Sequence, residues 1–174
     1  MEGCVHIYCG DGKGKTSAAI GLAVRAAGRG RKVLFVRFLK SEDSGEVEVL
    51  RSIPGITVPV CDRSFGFVFR MTQEEKRETV ASMQRRFKEA CAEATRGCYD
   101  VLVLDELMAV CSYGMVEEGQ VVAFLKGRPE NMEVVMTGRG PSESLIGMAD
   151  YVSEIRAVRH PYEKGIAARE GIEY

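Results

Sequence analysis

The stretch YCGDGKGKTSAA, residues 8–19, sets three glycines and two lysines between Gly10 and Lys15. A strict phosphate-loop pattern ends in Gly-Lys-Thr, as here at Gly14, Lys15 and Thr16, and also asks for a glycine five places before Gly14, where this chain has Cys9. The apolar run Val5 to Cys9 precedes the stretch, and the alanine-rich Lys15 to Ala27 follows it and stops at Gly28-Arg-Gly30. A strand, a glycine-rich turn and a helix in that order form a phosphate cradle, because backbone N–H groups converge on an anion at the positive end of the helix dipole. Gly10, Asp11, Gly12, Lys13, Gly14, Lys15 and Thr16 are therefore the candidate nucleotide-binding residues. Lys15 supplies a point charge to the phosphates and Thr16 a hydroxyl to a magnesium ion. The bland alternative is an ordinary strand-to-helix turn.

Working outward, further short apolar runs recur at Val33 to Leu39, Ile56 to Val60, Val101 to Leu104, Val134 to Met136 and Tyr151 to Val158. Runs that are continuous rather than alternating predict strands buried on both faces. Between them, Thr72 to Arg96 opens on Thr72-Gln-Glu-Glu75, a capping box, and spaces Val80, Met83, Phe87, Cys91 and Ala94 at three- and four-residue steps, which predicts an amphipathic helix facing the core. The expected fold is α/β: one P-loop, RecA-like domain over residues 1–174, a three-layer sandwich around a mostly parallel sheet of about six strands. Ligands then belong at the carboxyl ends of the strands. Lys40 to Thr72 is the least regular stretch and holds Phe65, Phe67 and Phe69, an alternating aromatic set that suits either a core or a ligand platform.

Two more motifs fall at strand ends. Val101-Leu-Val-Leu-Asp105-Glu106 delivers two carboxylates where the metal side of a nucleotide is expected, although both residues also suit a helix cap. Thr137-Gly-Arg-Gly140 projects Arg139 at the same edge, as a phosphate clamp or as a surface turn. The metal candidates are thus Thr16, Asp105 and Glu106.

Composition narrows the classes. With 174 residues, 24 Lys plus Arg and 25 Asp plus Glu, the chain carries no global positive field of the kind that binds nucleic acid. The start lacks a leader, and no apolar run approaches the roughly 20 residues of a membrane span, so a cytoplasmic protein is expected. Six cysteines without a C-x-x-C pair and two distant histidines read as reduced thiols rather than a zinc site. No Ser-His-Asp spacing or kinase loop is present, which leaves position and electrostatics as the protein's contribution to any chemistry.

Taken together and in order, Gly10-Asp-Gly-Lys-Gly-Lys-Thr16, Leu104-Asp-Glu-Leu107, Thr137-Gly-Arg-Gly140 and the tail from Val152 to the ending Gly171-Ile-Glu-Tyr174 resemble the P-loop ATP:corrinoid adenosyltransferases, the cob(I)yrinic acid a,c-diamide adenosyltransferases. The resemblance runs nearly end to end and makes Cys9 unexceptional, since the shortened loop is the family's usual form. It implies that ATP lies in the reverse of the usual P-loop orientation, so that the loop grips a triphosphate leaving group while a Co(I) corrinoid attacks the ribose 5′ carbon. ATP, magnesium and a corrinoid follow as co-substrate, metal and substrate, with a reduced flavoprotein as electron donor and a homodimer as assembly. The resemblance also implies that Phe67 and Phe69 assist reduction of Co(II) by excluding the lower axial ligand, with Phe69 standing where relatives carry tryptophan. Some relatives have a helical extension ahead of the first strand; here that strand begins within a few residues of Met1. The competing readings are a generic P-loop ATPase or phosphotransferase and a noncatalytic nucleotide-dependent corrinoid carrier. The motifs leave open which corrinoid is preferred: cobalamin, cobinamide or cobyrinic acid diamide.

Overall fold

The computed structural model describes residues 2–61 and 71–172. Six strands, β1 (Val5–Cys9), β2 (Val33–Arg37), β3 (Ile56–Thr57), β4 (Val101–Asp105), β5 (Glu133–Thr137) and β6 (Tyr151–Glu154), form one sheet in the order β3-β2-β4-β5-β1-β6. Every pairing is parallel. β2 and β4 are buried at every residue and β5 at all but Glu133, which is why these strands run apolar without alternation; β1 instead alternates, with His6 and Tyr8 half-buried between buried Val5, Ile7 and Cys9.

Helix α1 (Lys15–Ala27) and the short α2 (Glu46–Ser52) cover one face. There Ala19, Ala23 and Leu50 pack against Val33, Phe35, Val103 and Val135. The small side chains of α1 let it lie close to the sheet. Helices α3 (Gln73–Glu93), α4 (Leu107–Ser112), α5 (Glu118–Gly127) and α6 (Glu143–Ile146) contribute to the core on the other face, where Met83, Phe87, Met108, Val121 and Leu145 join Ile7, Leu34 and Leu104. Three layers result, as the sequence predicts.

The start of α3 carries the expected capping box: Glu75 N donates to Thr72 Oγ1 at 3.2 Å, and Thr72 N donates to Glu75 Oε2 at 2.6 Å. Of the expected stripe, Met83, Phe87 and Ala94 are buried, and Val80 and Cys91 pack half-buried beside them. Ala94 already lies beyond α3, in a single π-helical turn (Ala94–Cys98). Burial pushes the Cys91 thiol up to about 12 and that of Cys111 up to about 11. Among the described cysteines, Cys4, Cys9, Cys61, Cys91 and Cys111 are free thiols.

Two expectations are corrected. The run Tyr151 to Val158 forms a strand only to Glu154, and β6 is exposed along its length rather than buried on both faces. It pairs with β1 alone and is the sheet's last strand, so no further strand pairs with its outer edge among the described residues. Its start is fastened by His6, which stacks on Tyr151 with ring centroids 4.6 Å apart. The irregular stretch after Lys40 also contains a helix, α2, because Val47 and Leu50 share one face and bury it. Phe65, Phe67 and Phe69 lie outside the described residues.

Candidate functional site

β1 ends at Cys9 and the glycine-rich loop leads directly into α1, so Lys15 is the first residue of the helix. Gly10 and Gly14 take φ values of 104° and 124°, which side chains with a Cβ rarely adopt. The loop is fastened to the segment that follows β6. Ile155 N donates to Cys9 O at 2.8 Å, Gly12 N donates to Ile155 O at 2.8 Å, and Ala157 N donates to Asp11 Oδ1 at 3.0 Å. A Cβ on Gly10 would come within 2.3 Å of Ile155 O, and one on Gly12 within 2.7 Å of the Arg156 carbonyl carbon. The sequence reads these glycines as clearance for a phosphate. The structure shows them also giving clearance to the chain's own backbone, with the Gly12 amide engaged there.

Lys15 is buried, and its Nζ donates to Gly12 O at 2.8 Å, folding back over the loop. Burial lowers its pKa, as does the neighbouring Arg139 charge, against the opposing pull of Glu106 and Asp11. Asp11 is held below its ordinary value by the Ala157 and its own backbone N–H groups, aided by Arg139 and Lys15. Lys13 is exposed.

Strand β5 separates β1 from β4, yet the helix end reaches across it. Thr16 Oγ1 donates to Asp105 Oδ1 at 3.0 Å, with Oδ2 at 3.3 Å. Asp105 is fully buried at the end of β4. Its Oδ1 also accepts the Thr137 hydroxyl at 2.7 Å, and Thr137 Oγ1 in turn accepts Glu106 N at 2.8 Å. A third partner comes from the chain leaving β2: Lys40 Nζ stands 2.6 Å from Asp105 Oδ2 and donates to Thr16 Oγ1 at 2.9 Å. Lys40 and Thr137 are site residues that sequence reasoning misses. Lys40 looks like any lysine after an apolar strand. Thr137 sits in a motif noticed for its arginine.

Glu106 adopts a left-handed conformation, φ 62°, between β4 and α4. Non-glycine residues in that region concentrate at functional sites. Burial pushes its carboxyl above the usual range, as does the adjoining Asp105 charge, against the attraction of Lys40, Lys15 and Arg139. These influences gather Lys15, Lys40, Asp105, Glu106 and Arg139 into one electrostatic cluster.

Arg139 is exposed and follows Gly138, whose φ is 143° and where a Cβ would meet Met108 Cβ at 2.6 Å. With Gly10, Asp11, Glu154 and Arg156 it lines an open groove of about 470 Å³ beside the loop. The structure thus brings together the loop, Asp105, Glu106 and Arg139 from separate strand ends. Phe67 and Phe69 fall outside the described residues. No group of three or more His, Cys, Asp or Glu residues suited to a metal occurs among the described residues. A hydroxyl with one or two carboxylates suits magnesium that also takes phosphate oxygens, and does not suit an all-protein cage.

Comparison with known proteins gives these matches. The family model described as "ATP:corrinoid adenosyltransferase BtuR/CobO/CobP" matches residues 1–174. Corrinoid adenosyltransferase CobA of Salmonella typhimurium is 35% identical over 176 residues, covering 99% of this chain and 86% of that one. A corrinoid adenosyltransferase of Pseudomonas aeruginosa is 34% identical over 174 residues, covering 99% and 84%. Among solved structures, EssC (ATPases 2 and 3) from Geobacillus thermodenitrificans aligns with a TM-score of 0.50 at 15% identity, over 98% of this chain and 36% of that one, a likeness of fold alone.

Proposed function

Because the chain belongs to the ATP:corrinoid adenosyltransferase family, we propose that it transfers the 5′-deoxyadenosyl group of ATP to the Co(I) centre of a corrinoid. The cobalt electron pair forms the new cobalt–carbon bond, the C5′–oxygen bond breaks, and inorganic triphosphate leaves with that oxygen. The observation that carries the reading is the Thr16 to Asp105 hydrogen bond. It joins the helix end of the loop to the carboxylate end of β4, which supports reading the two as one site for phosphate and metal.

In this reading the chain holds and neutralises a leaving group. Lys15 exchanges its internal acceptor, Gly12 O, for a phosphate oxygen. Its burial makes that charge worth more than a surface lysine's, and the lowered pKa reflects the cost of keeping it charged without an anion. Arg139 reaches the same phosphates from the far side of the groove. Thr137 and Thr16 fix Asp105 in one orientation, which prepares the carboxylate for a cation.

The residues fit magnesium: a cation, the Lys40 ammonium, already rests on Asp105 Oδ2 and Thr16 Oγ1. Thr16 and Asp105, with Glu106 beside them, would hold the ion, which when bound supplies positive charge to the departing triphosphate. Phe67 and Phe69 are assigned by resemblance to the corrinoid side, where they assist reduction of Co(II). A reduced flavoprotein donor and a cytoplasmic location belong to the same reading. So does a homodimer, supported by the exposed Tyr151 and Val152 on β6 and the exposed Val158, Tyr162 and Ile166 beyond it.

Lys15→Ala tests this reading. Loss of the ammonium should lower adenosylation by roughly two orders of magnitude or more while the fold persists. Near-normal turnover in the folded variant would remove the loop from the leaving group.

A further inference from the structure

β2 runs out at Arg37, and the chain passes through buried Phe38 to Leu39 and Lys40. Phe38 N donates to Asp105 O at 3.0 Å, which ties this exit to the end of β4. Leu39 takes a φ of 52°, a left-handed conformation that costs a leucine energy. That turn aims Lys40 at the loop. Its Nζ lies 2.6 Å from Asp105 Oδ2 and 2.9 Å from Thr16 Oγ1, while the side chain keeps about a quarter of its surface in solvent, 23%.

These are the two oxygens that the reading above gives to magnesium, and the present inference rests on that reading. Magnesium sits about 2.0–2.1 Å from its oxygen ligands and tolerates little departure from octahedral geometry. An ammonium in contact with both oxygens fills that space, so lysine and metal exclude one another there. The Asp105 carboxylate is fully buried, and a buried charge left without a counter-charge is costly. The two threonine hydroxyls satisfy its hydrogen-bonding needs but bring no charge. Lys15 is directed elsewhere, to Gly12 O.

We propose that Lys40 is an internal cation that holds the metal position of the site and is displaced when the metal–nucleotide complex arrives. It thereby sets the metal concentration at which the protein takes up its nucleotide. Asp105 is neutralised throughout, since one cation is exchanged for another. The four-carbon stem gives the ammonium a route outward. The strained Leu39 that aims it is free to relax when it leaves. Released at the ligand edge, the ammonium remains available to the polyphosphate.

Manganese binding, followed by electron paramagnetic resonance on the full chain, tests the proposal with a readout separate from turnover. Lys40→Met removes the charge and keeps the stem. It should bind Mn2+ without nucleotide about tenfold or more tightly than the parent, because a charge-assisted contact no longer has to be broken. In EDTA the same variant should bind ATP more weakly, since Asp105 then faces the phosphates bare. Opposite signs separate the proposal from general damage, which weakens both. Lys40→Arg, whose fork grips a carboxylate more firmly, should shift Mn2+ binding the other way. Unchanged Mn2+ affinity in both folded variants, or weaker binding of Mn2+ and ATP alike, overturns the proposal. Asp105→Asn marks which level has failed. If it leaves Mn2+ binding with ATP intact, the metal assignment falls, and the Lys40 proposal with it. If it abolishes that binding while both Lys40 variants match the parent, only the role of Lys40 falls.

Discussion

Replacing Gly10 with alanine tests whether the glycines of the loop serve the segment after β6 as well as the nucleotide. Two costs add. Alanine at φ 104° occupies a conformation that costs an L-residue about 1–2 kcal/mol. The new Cβ would also lie 2.3 Å from Ile155 O and 3.0 Å from its carbonyl carbon and nitrogen, so backbone has to move. Displacing residues 155–157 breaks the bonds Ile155 N to Cys9 O, Gly12 N to Ile155 O and Ala157 N to Asp11 Oδ1. Water recovers part of each, which leaves about 0.5 kcal/mol per bond at the low end of the usual range. The sum is about 3 kcal/mol, equivalent to a fall in melting temperature of roughly 10 °C for a chain of this size. Thermal denaturation measures it, and amide exchange at Gly12 and Ile155 locates it. Gly21→Ala is the control: it lies within α1 and a Cβ there meets nothing within 4 Å, so it should be neutral or stabilising by about 0.5–1 kcal/mol. A Gly10→Ala protein that melts within about 2 °C of the parent, with Gly12 and Ile155 amides equally protected, would refute the clearance argument.

Other outcomes follow from the same site. The Glu106 carboxyl is held above its ordinary value by burial, then by Asp105, so the folded chain binds this proton more tightly than the unfolded one. Its contribution is therefore fully present below the ordinary value of 4.5 and is lost as pH rises through the elevated one. Glu106→Gln should match or exceed the parent's melting temperature at neutral pH, lose that advantage in acid, and weaken metal-dependent nucleotide binding; an equal loss of stability at every pH would make Glu106 a structural residue instead. Phe67→Ala and Phe69→Ala should still adenosylate corrinoid supplied as Co(I) but fail when Co(II) is reduced in the site by a weak donor. Equal activity in both assays, in a stable protein, would end the role given to that phenylalanine.

Much of the fold was legible because buried parallel strands need apolar residues on both faces, and β2, β4 and β5 announce themselves as nearly continuous apolar runs, whereas β1 alternates, with His6 and Tyr8 only half-buried. The same rule overreached at β6, whose Tyr151 and Val152 are apolar without being buried, since strand order and not composition decides which strand is the edge. The loop was legible because its chemistry is local: turn, lysine and hydroxyl are contiguous. Asp105 was legible as a strand-end carboxylate. What holds it was not, because the Thr137 contact depends on the parallel register of β4 with β5, and the Lys40 contact on the exit angle of β2. Residues 155–157 were invisible for the same reason: their tie to the loop follows from β6 pairing beside β1.

The central claim is that the loop holds a leaving group rather than a group being transferred, and the products report on this directly. Protein, magnesium ATP and chemically reduced corrinoid should yield a light-sensitive adenosylated corrinoid and inorganic triphosphate in equal amounts. Formation of ADP and phosphate, with the corrinoid unmodified, would contradict it.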